Sequence, residues 1–174
     1  EEIFPFSGTG SIGLTYKGWE RFEELNLGHF NSKKAFMAMQ FGEPELDDIF
    51  DKHFKRAVGD TGYDLQSLLD RPKAGLIDDR MRVEIRRSRF LICDLTHNNR
   101  GALWEAGFAE GLGKPVIYTC EESVFDSTDP ESRPHFDTNH HLMVKWNSNN
   151  PEQAVEKLKE TIRETLPGEA KFSD

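Results

Sequence analysis

The chain has 174 residues, and its 31 acidic and 22 basic side chains give a formal net charge of −9 at pH 7. This length suits one domain with a sizeable core, and the acidic balance disfavours a duplex nucleic-acid surface, which needs concentrated lysine and arginine. No apolar run approaches the roughly 20 residues of a membrane span and no signal peptide opens the chain, so we expect a cytoplasmic protein that does not bind membranes.

The single basic cluster is interrupted by apolar residues at helical spacing. We therefore interpret it as a solvated helix face rather than a nucleic-acid site. Its members are Arg80, Arg82, Arg86, Arg87 and Arg89.

The cysteines and histidines do not form a recognisable ligand set. Cys93 and Cys120 each end an apolar run, and without a signal peptide or clustering they indicate reduced core residues. His135, His140 and His141 lie close together, but neither a cysteine pair nor an HExxH motif accompanies them. We expect no metal site.

The first 33 residues predict an extension before the main domain. Residues 13–27 predict a short strand, a turn at Lys17-Gly18 and a helix with an apolar stripe of Trp19, Phe22 and Leu25, followed by a linker. This stretch resembles the tail of a winged-helix module. Because the chain begins with two glutamates rather than methionine, we expect a fragment of a longer protein.

From residue 34 onward, short apolar runs alternate with helical patterns. The predicted strands are 35–40, 63–65, 89–94, 114–119 and 141–146, and the predicted helices are 44–58, 77–87, 99–113 and 151–166. Such alternation, with strands that are apolar throughout, predicts an α/β fold: a flavodoxin-like open parallel sheet of about five strands with helices on both faces. We place this domain at 34–168, with a tail at 169–174.

In an open parallel sheet the ligand lies beyond the carboxyl ends of the strands. The loops after Gln40, Asp94 and Cys120 are therefore the candidate site loops. The third spans residues 121–140, which is long enough to predict a binding loop rather than a simple connection.

Glu105 is the candidate catalytic residue that the helical pattern selects. Its neighbours three, four and seven positions away are all small or apolar: Gly101, Ala102, Phe108, Ala109 and Leu112. A carboxylate in such a stripe is costly unless it is hydrogen-bonded or paired. The pattern leaves two interpretations open, a carboxylate held in a pocket or a glutamate that points to solvent.

Three segments carry family-like motifs: FMAMQF at 36–41, IDDRM…EIRRSRFLICDLTHNNRGALWEAGFAEGLGKPVIY at 77–118 and HFDTNHHLMVKW at 135–146. In this order and spacing they resemble the nucleoside 2-deoxyribosyltransferase superfamily over residues 34–165. That family combines a strand ending in Asp-Leu-Thr, a helix similar to Tyr-Glu-Leu-Gly and a Gly-Lys-Pro turn. It borders on the TIR-like domains, which share the sheet order and a helix glutamate.

The resemblance implies chemistry at the anomeric carbon without a cofactor. Glu105 matches the family glutamate that attacks C1 of a nucleoside's sugar and forms a glycosyl-enzyme ester, which a second base or water then releases. Asp94 and Asp79 match acidic positions of the pocket, where they hold sugar hydroxyls or handle the base's proton. Close carboxylates would push each other's pKa values apart.

The substrate-binding candidates also follow from the resemblance. Gln40 and Phe41 match a loop that packs on the base or sugar, with core packing as the alternative for Phe41. Asn98 and Asn99 either cap the helix, which we favour, or bind a phosphate at its amino terminus.

The remaining two candidate regions concern the shape of the pocket. Trp104 stands where the family usually has tyrosine, and its wider indole would narrow the sugar site. Phe136 and Asp137 match a recurring Phe-Asp of the late loop, where they would shape the pocket or fix the loop through a turn.

The sequence therefore leaves several functions open. We favour an enzyme that cleaves or transfers the N-glycosidic bond of a nucleoside, nucleotide or NAD, as an effector domain of a defence protein. The family resemblance also implies a homo-oligomer. The alternatives are a non-catalytic nucleotide-sensing or interaction domain on the same fold, and a regulatory α/β domain without a ligand.

Overall fold

The computed structural model describes residues 13–27, 32–68, 77–129, 134 and 143–173. The strands are β1 (Lys34–Ala38), β2 (Asp64–Gln66), β3 (Phe90–Asp94), β4 (Val116–Glu121) and β5 (Met143–Trp146). The helices are α1 (Tyr16–Leu27), α2 (Pro44–Asp48), α3 (Lys55–Asp60), α4 (Ile77–Arg87), α5 (Arg100–Gly111), α6 (Glu122–Phe125) and α7 (Pro151–Thr165), and a π-helical segment, Ile49–Phe54, joins α2 to α3. Within these residues, no helix combines the length and apolar character that a membrane span requires.

The five strands form one parallel sheet with the order β2-β1-β3-β4-β5. β1 and β3 are neighbours, with Ala35 opposite Phe90 and Ala38 opposite Cys93. The chain leaves β1 towards one edge of the sheet and leaves β3 towards the other. This arrangement confirms the predicted flavodoxin-like α/β fold.

Helices cover both faces of the sheet, as predicted. Successive residues of a strand point to opposite faces. Ala35 and Met37 of β1 face the core that includes the π-helical segment, α3 and α7. Phe36 and Ala38 face the second core, which α4 and α5 cover. Because both faces are buried, β1 and β3 are largely apolar. The edge strands β2 and β5 alternate, with an exposed Asp64 and a half-buried Lys145.

The helix predicted over 44–58 changes its hydrogen-bond pattern midway. Leu46, Phe50, Phe54 and Val58 recur every four residues, so in an α-helix each successive side chain would turn about 40° further round the axis. The wider π-helical turn of Ile49–Phe54 absorbs this drift. All four side chains consequently remain buried.

The strand and turn predicted before the first helix are wrong. Residues 13–15 form no strand, and α1 begins at Tyr16 and continues through Gly18. The Thr15 hydroxyl accepts a hydrogen bond from the Gly18 backbone amide at 3.1 Å. Thr15 therefore caps the helix, and the glycine occupies its first turn rather than a separate turn.

The segment after β4 is more regular than predicted. β4 continues to Glu121, whose carboxylate accepts a hydrogen bond from the Val124 backbone amide at 3.0 Å and caps the short helix α6. An N-cap glutamate is less common than aspartate or serine, and for this reason the sequence pattern did not indicate a helix start there.

The two cysteines confirm the prediction of reduced core residues. Cys93 in β3 and Cys120 in β4 are fully buried free thiols. Burial raises the pKa of the Cys120 thiol to about 12, and Asp94 adds to the effect. Neither thiol is therefore a reactive nucleophile near neutral pH.

Candidate active site

The candidate site lies where the chain reverses its direction across the sheet. The loops after β1 and β3 leave neighbouring strands in opposite directions, and such a switch point forms the ligand crevice of open α/β sheets. Two side-chain contacts bridge the loops. The Asn99 Nδ2 group donates to Gln40 Oε1 at 2.7 Å, and His97 Nε2 lies 3.7 Å from Glu43 Oε2. The structure thus brings Gln40 and Asn99 together.

Asn99 also begins the helix that carries Glu105. Its Oδ1 atom accepts hydrogen bonds from the backbone amides of Gly101 at 2.7 Å and Ala102 at 3.2 Å. This geometry supports the capping interpretation of Asn99. Asn98, which precedes it, is exposed and has a φ of 51°, a left-handed conformation that asparagine tolerates better than most residues.

Asp94 is buried at the end of β3, and both of its carboxylate oxygens are engaged. Oδ2 accepts hydrogen bonds from the Thr119 hydroxyl at 2.7 Å and from Trp146 Nε1 at 2.8 Å. Oδ1 accepts from the Thr96 backbone amide at 3.0 Å. Burial raises the pKa of Asp94, while the hydrogen bonds from Thr96, Thr119 and Trp146 oppose that rise. Asp94 therefore ties β3, β4 and β5 together.

Glu105 differs from Asp94 in having no hydrogen-bond or ion-pair partner among the described residues. Ala102, Ala106 and Ala109 of α5 face the sheet, and at about 100° per residue Glu105 lies beside them on the flank that also carries Phe108. Its side chain is half-buried. Within the described part of the chain, its carboxylate makes no hydrogen bond or ion pair. Glu110 of the same helix, by contrast, accepts a hydrogen bond from the Tyr118 hydroxyl at 3.0 Å.

The protonation of Glu105 reflects this environment. Burial raises the pKa of Glu105 from its ordinary value of 4.5 to about 7. Removal from water disfavours the charged form, and no charged side chain of the described segments compensates. The sequence predicted that nearby carboxylates would shift the pKa of Glu105. Among the described residues no carboxylate does so, since burial alone shifts this pKa. Near neutral pH the carboxylate is about half ionised.

An aromatic–arginine face, formed by Trp104, Phe108, Arg82 and Arg86, covers the outer side of α4 and α5. The Trp104 and Phe108 rings stack with centroids 5.4 Å apart. The Arg82 guanidinium lies 5.5 Å from the Trp104 ring centroid, and that of Arg86 lies 5.2 Å from the Phe108 centroid. Trp104 is 46% exposed, so it faces outward next to Glu105. Two arginines of the predicted solvated helix face thus pack on aromatic rings.

Two other predicted residues have surroundings of their own. Asp79 is on the surface of α4, with its side chain 70% exposed and its carboxylate 3.5 Å from Arg82 Nη1. Phe41 is half-buried and packs against the core on the α7 side of the sheet, which agrees with the core-packing alternative. Phe136 and Asp137 lie outside the described residues.

Sequence reasoning missed the partners that hold Asp94. Thr119 and Trp146 follow Asp94 by many residues and reach it only because β3, β4 and β5 are adjacent and in parallel register. Asp94 pairs directly with Thr119 across the β3–β4 ladder. The sequence signal for this contact is Thr119, a polar residue within the apolar strand that neighbours β3.

Comparison with known proteins extends the description of the fold. Among solved structures, the chain is similar to the TIR domain of the Toll-related receptor TRR-2 from Hydra magnipapillata, with a TM-score of 0.53 and 11% sequence identity. The match covers 74% of this chain and 97% of that domain. Neither a family model nor a curated protein matches the chain. At this identity the likeness concerns architecture alone, and the chain has a TIR-like α/β fold.

Proposed function

We propose that this chain breaks the N-glycosidic bond of a nucleotide-type substrate with Glu105 as the nucleophile. The observation that supports this role is a half-buried glutamate without a partner among the described residues. Carboxylates with a purely structural role inside proteins are normally hydrogen-bonded or paired, as Asp94 is. An unpaired one, on the helix whose amino-terminal cap contacts the loop after β1, remains available for bond formation.

The reaction proceeds in two displacements at the sugar. A Glu105 oxygen bonds to C1 of the sugar while the bond from C1 to the base nitrogen breaks, and its electron pair leaves with the base. Water then attacks C1, loses a proton and releases the Glu105 carboxylate from the ester; a second base in place of water gives transfer. The nucleophile must be ionised, so the first step requires the deprotonated fraction of Glu105.

The environment of the other carboxylates favours a substrate whose base leaves without a proton. Both oxygens of Asp94 accept hydrogen bonds, and Asp79 is exposed beside Arg82. A purine leaves readily only when it is protonated, whereas the nicotinamide ring of NAD is cationic and is neutralised by the departing electron pair. A cationic ring beside Glu105 would also favour the ionised carboxylate. Within the proposal, NAD is therefore the first substrate to test.

The test compares the parent with Glu105→Gln and with Glu110→Gln, a matched change on the same helix. Each protein is incubated with NAD and with a panel of deoxynucleosides and deoxynucleotides, and free base is followed by chromatography. We expect release by the parent and by Glu110→Gln, and a loss of about a thousandfold or more in Glu105→Gln, since amides are poor nucleophiles.

Two outcomes would redirect the proposal. Equal turnover by the parent and Glu105→Gln would remove Glu105 from the chemistry. Binding of a substrate without turnover by any variant would favour the nucleotide-sensing domain instead.

Asp79→Asn separates the substrate classes, because its activity towards NAD should be unchanged, whereas cleavage of a purine nucleoside that depends on Asp79 as an acid should fall.

A further inference from the structure

The aromatic–arginine face has the character of a protein contact surface. Each guanidinium lies over an aromatic ring, which leaves its N–H edges directed away from the ring. Arg82 Nη1 lies 3.5 Å from the exposed Asp79 carboxylate. Among the described residues, Arg86 has no carboxylate partner within ion-pair distance. The exposed Trp104 ring adds apolar area at the centre of this positive patch, on a chain whose net charge is −9. Tryptophan and arginine are the residues that most often dominate protein interfaces.

Two glycines extend this face along α5. Gly107 and Gly111 follow Trp104 by three and seven residues and are exposed. A Cβ atom added at either position would meet no atom of the described chain within 4 Å. Each glycine lowers the stability of the helix relative to alanine, and no contact within the described chain requires its small size. Glycines on a helix surface permit the close approach of a second backbone.

Helix α1 carries a complementary surface that nothing in the described fold covers. Its Trp19 and Phe22 side chains are 52% and 47% exposed, and their rings form an edge-to-face pair with centroids 5.6 Å apart. No other described helix or strand packs extensively against α1. Helical spacing places positions 20 and 23, both glutamates, beside Trp19, whereas the basic positions 17 and 21 lie on the opposite side.

We propose that α1 of one copy docks on the aromatic–arginine face of a second copy. Trp19 and Phe22 would cover Trp104 and the glycines of α5, and the glutamates of α1 would meet Arg82 and Arg86. Each copy carries both surfaces, so a reciprocal exchange of α1 gives a closed two-fold dimer. This inference is independent of the proposed function.

Charge reversal in the full chain tests the contact. We expect the parent to form a reversible dimer by sedimentation velocity. The variants Glu20→Arg/Glu23→Arg and Arg82→Glu/Arg86→Glu should each raise the dimer Kd by about tenfold or more, because like charges then face each other in both contacts. Glu20 and Arg86 are exposed and Arg82 is half-buried, and circular dichroism checks that each variant is folded.

An equal mixture of the two variants distinguishes docking between copies from docking within one chain. In a mixed dimer, the arginines of one α1 meet the glutamates introduced on the other face, and the second contact is unaltered. Dimerisation should therefore return in the mixture. A parent that stays monomeric at all concentrations, a dimer unaffected by either variant, or a mixture that remains monomeric would overturn the proposal.

Gly107→Ala supplies an independent measurement. Alanine favours the helix, so the melting temperature of the dilute, monomeric protein should rise. Its methyl group occupies the space that the docked helix needs, so the dimer Kd should increase. A variant that gains stability and dimerises as well as the parent would contradict close approach at this glycine.

Discussion

Glu105 imposes a stability cost that depends on pH. Burial raises the pKa of Glu105 from 4.5 to about 7, so the folded state prefers the neutral acid more strongly than the unfolded state does. The neutral acid contributes its full share of stability below pH 4.5. This stability is lost as the pH rises through about 7, where the buried side chain becomes charged. At about 1.4 kcal/mol per pKa unit, the cost approaches about 3 kcal/mol near pH 8.

Glu105→Gln should therefore stabilise the fold while it abolishes the proposed chemistry. The amide carries no charge to desolvate, so we expect a melting temperature about 5–10 °C above that of the parent at pH 8, with most of the gain lost at pH 5. Thermal unfolding at both pH values measures this. Glu110→Gln, which retains an oxygen to accept from Tyr118, should leave the melting temperature nearly unchanged. A lower melting temperature for Glu105→Gln would identify Glu105 as a structural residue.

The sequence predicts the surroundings of Glu105 better than those of Asp94. The apolar helical neighbours of Glu105 indicated a shielded carboxylate, because those neighbours are local and follow from helix geometry. Asp94 was expected to handle the substrate, yet its surroundings depend on Thr119 and Trp146. Their approach requires the register of three strands, which depends on packing over the whole sheet and which no local pattern specifies.

At the level of elements, α5 depends on its amino-terminal cap for its position. Asn99 satisfies two backbone amides of the first turn and also binds Gln40 of the neighbouring loop. Asn150 occupies the corresponding position of α7, but its side chain makes no capping hydrogen bond and Pro151 opens that helix. The two asparagines therefore form a matched pair, one with a capping role and one without.

Asn99→Ala should lower the free energy of unfolding by about 1–2 kcal/mol, whereas Asn150→Ala should have almost no effect. Urea titrations of the two variants measure the difference. The proposed base release should also fall in Asn99→Ala, because the first turn of α5 lies directly before Glu105. Equal losses in the two variants would mean that the hydrogen bonds of Asn99 contribute little beyond its helix position.

Most helices and strands were predictable, and the exceptions share a physical origin. Apolar runs and helical spacing located all five strands and the helices that pack on them. The π-helical segment was not predictable, because apolar residues four positions apart are also common in α-helices and do not by themselves indicate a wider turn. Packing against α7 and the sheet selects the wider turn, and that packing is a tertiary effect.

On the scale of the whole molecule, residues 169–171 pack at the amino-terminal ends of the strands, opposite the candidate site. Arg89, just before β3, donates two hydrogen bonds to the Glu169 carboxylate at 2.8 and 2.9 Å. The Lys33 ammonium donates to the Glu169 backbone oxygen at 3.1 Å, and the Lys171 amide donates to the Thr61 carbonyl at 2.9 Å. Residues predicted as a tail thus connect the segments that precede β1, β2 and β3.

Glu169→Gln should weaken this connection by about 1 kcal/mol at pH 7, because the bidentate pair lies partly out of water. The hydrogen bond from Arg89 lowers the pKa of Glu169, so the contribution of this carboxylate is present above pH 4.5, its ordinary pKa, and is lost as the pH falls below it. Urea titrations at pH 7 and pH 4 should therefore show a difference from the parent that shrinks with acid.

Glu152→Gln is the matched control for this connection. Glu152 also accepts two hydrogen bonds from an arginine, both from Arg56 Nη2 at 2.6 and 2.7 Å. Both side chains are exposed to solvent, so we expect little loss of stability. Base release should be unchanged in both variants, since neither residue lies near Glu105. Glu169→Gln should be less stable than the parent, whereas Glu105→Gln should be more stable, and both differences should shrink as the pH falls. A difference from the parent that grows with acid would therefore contradict the assigned role of Glu169.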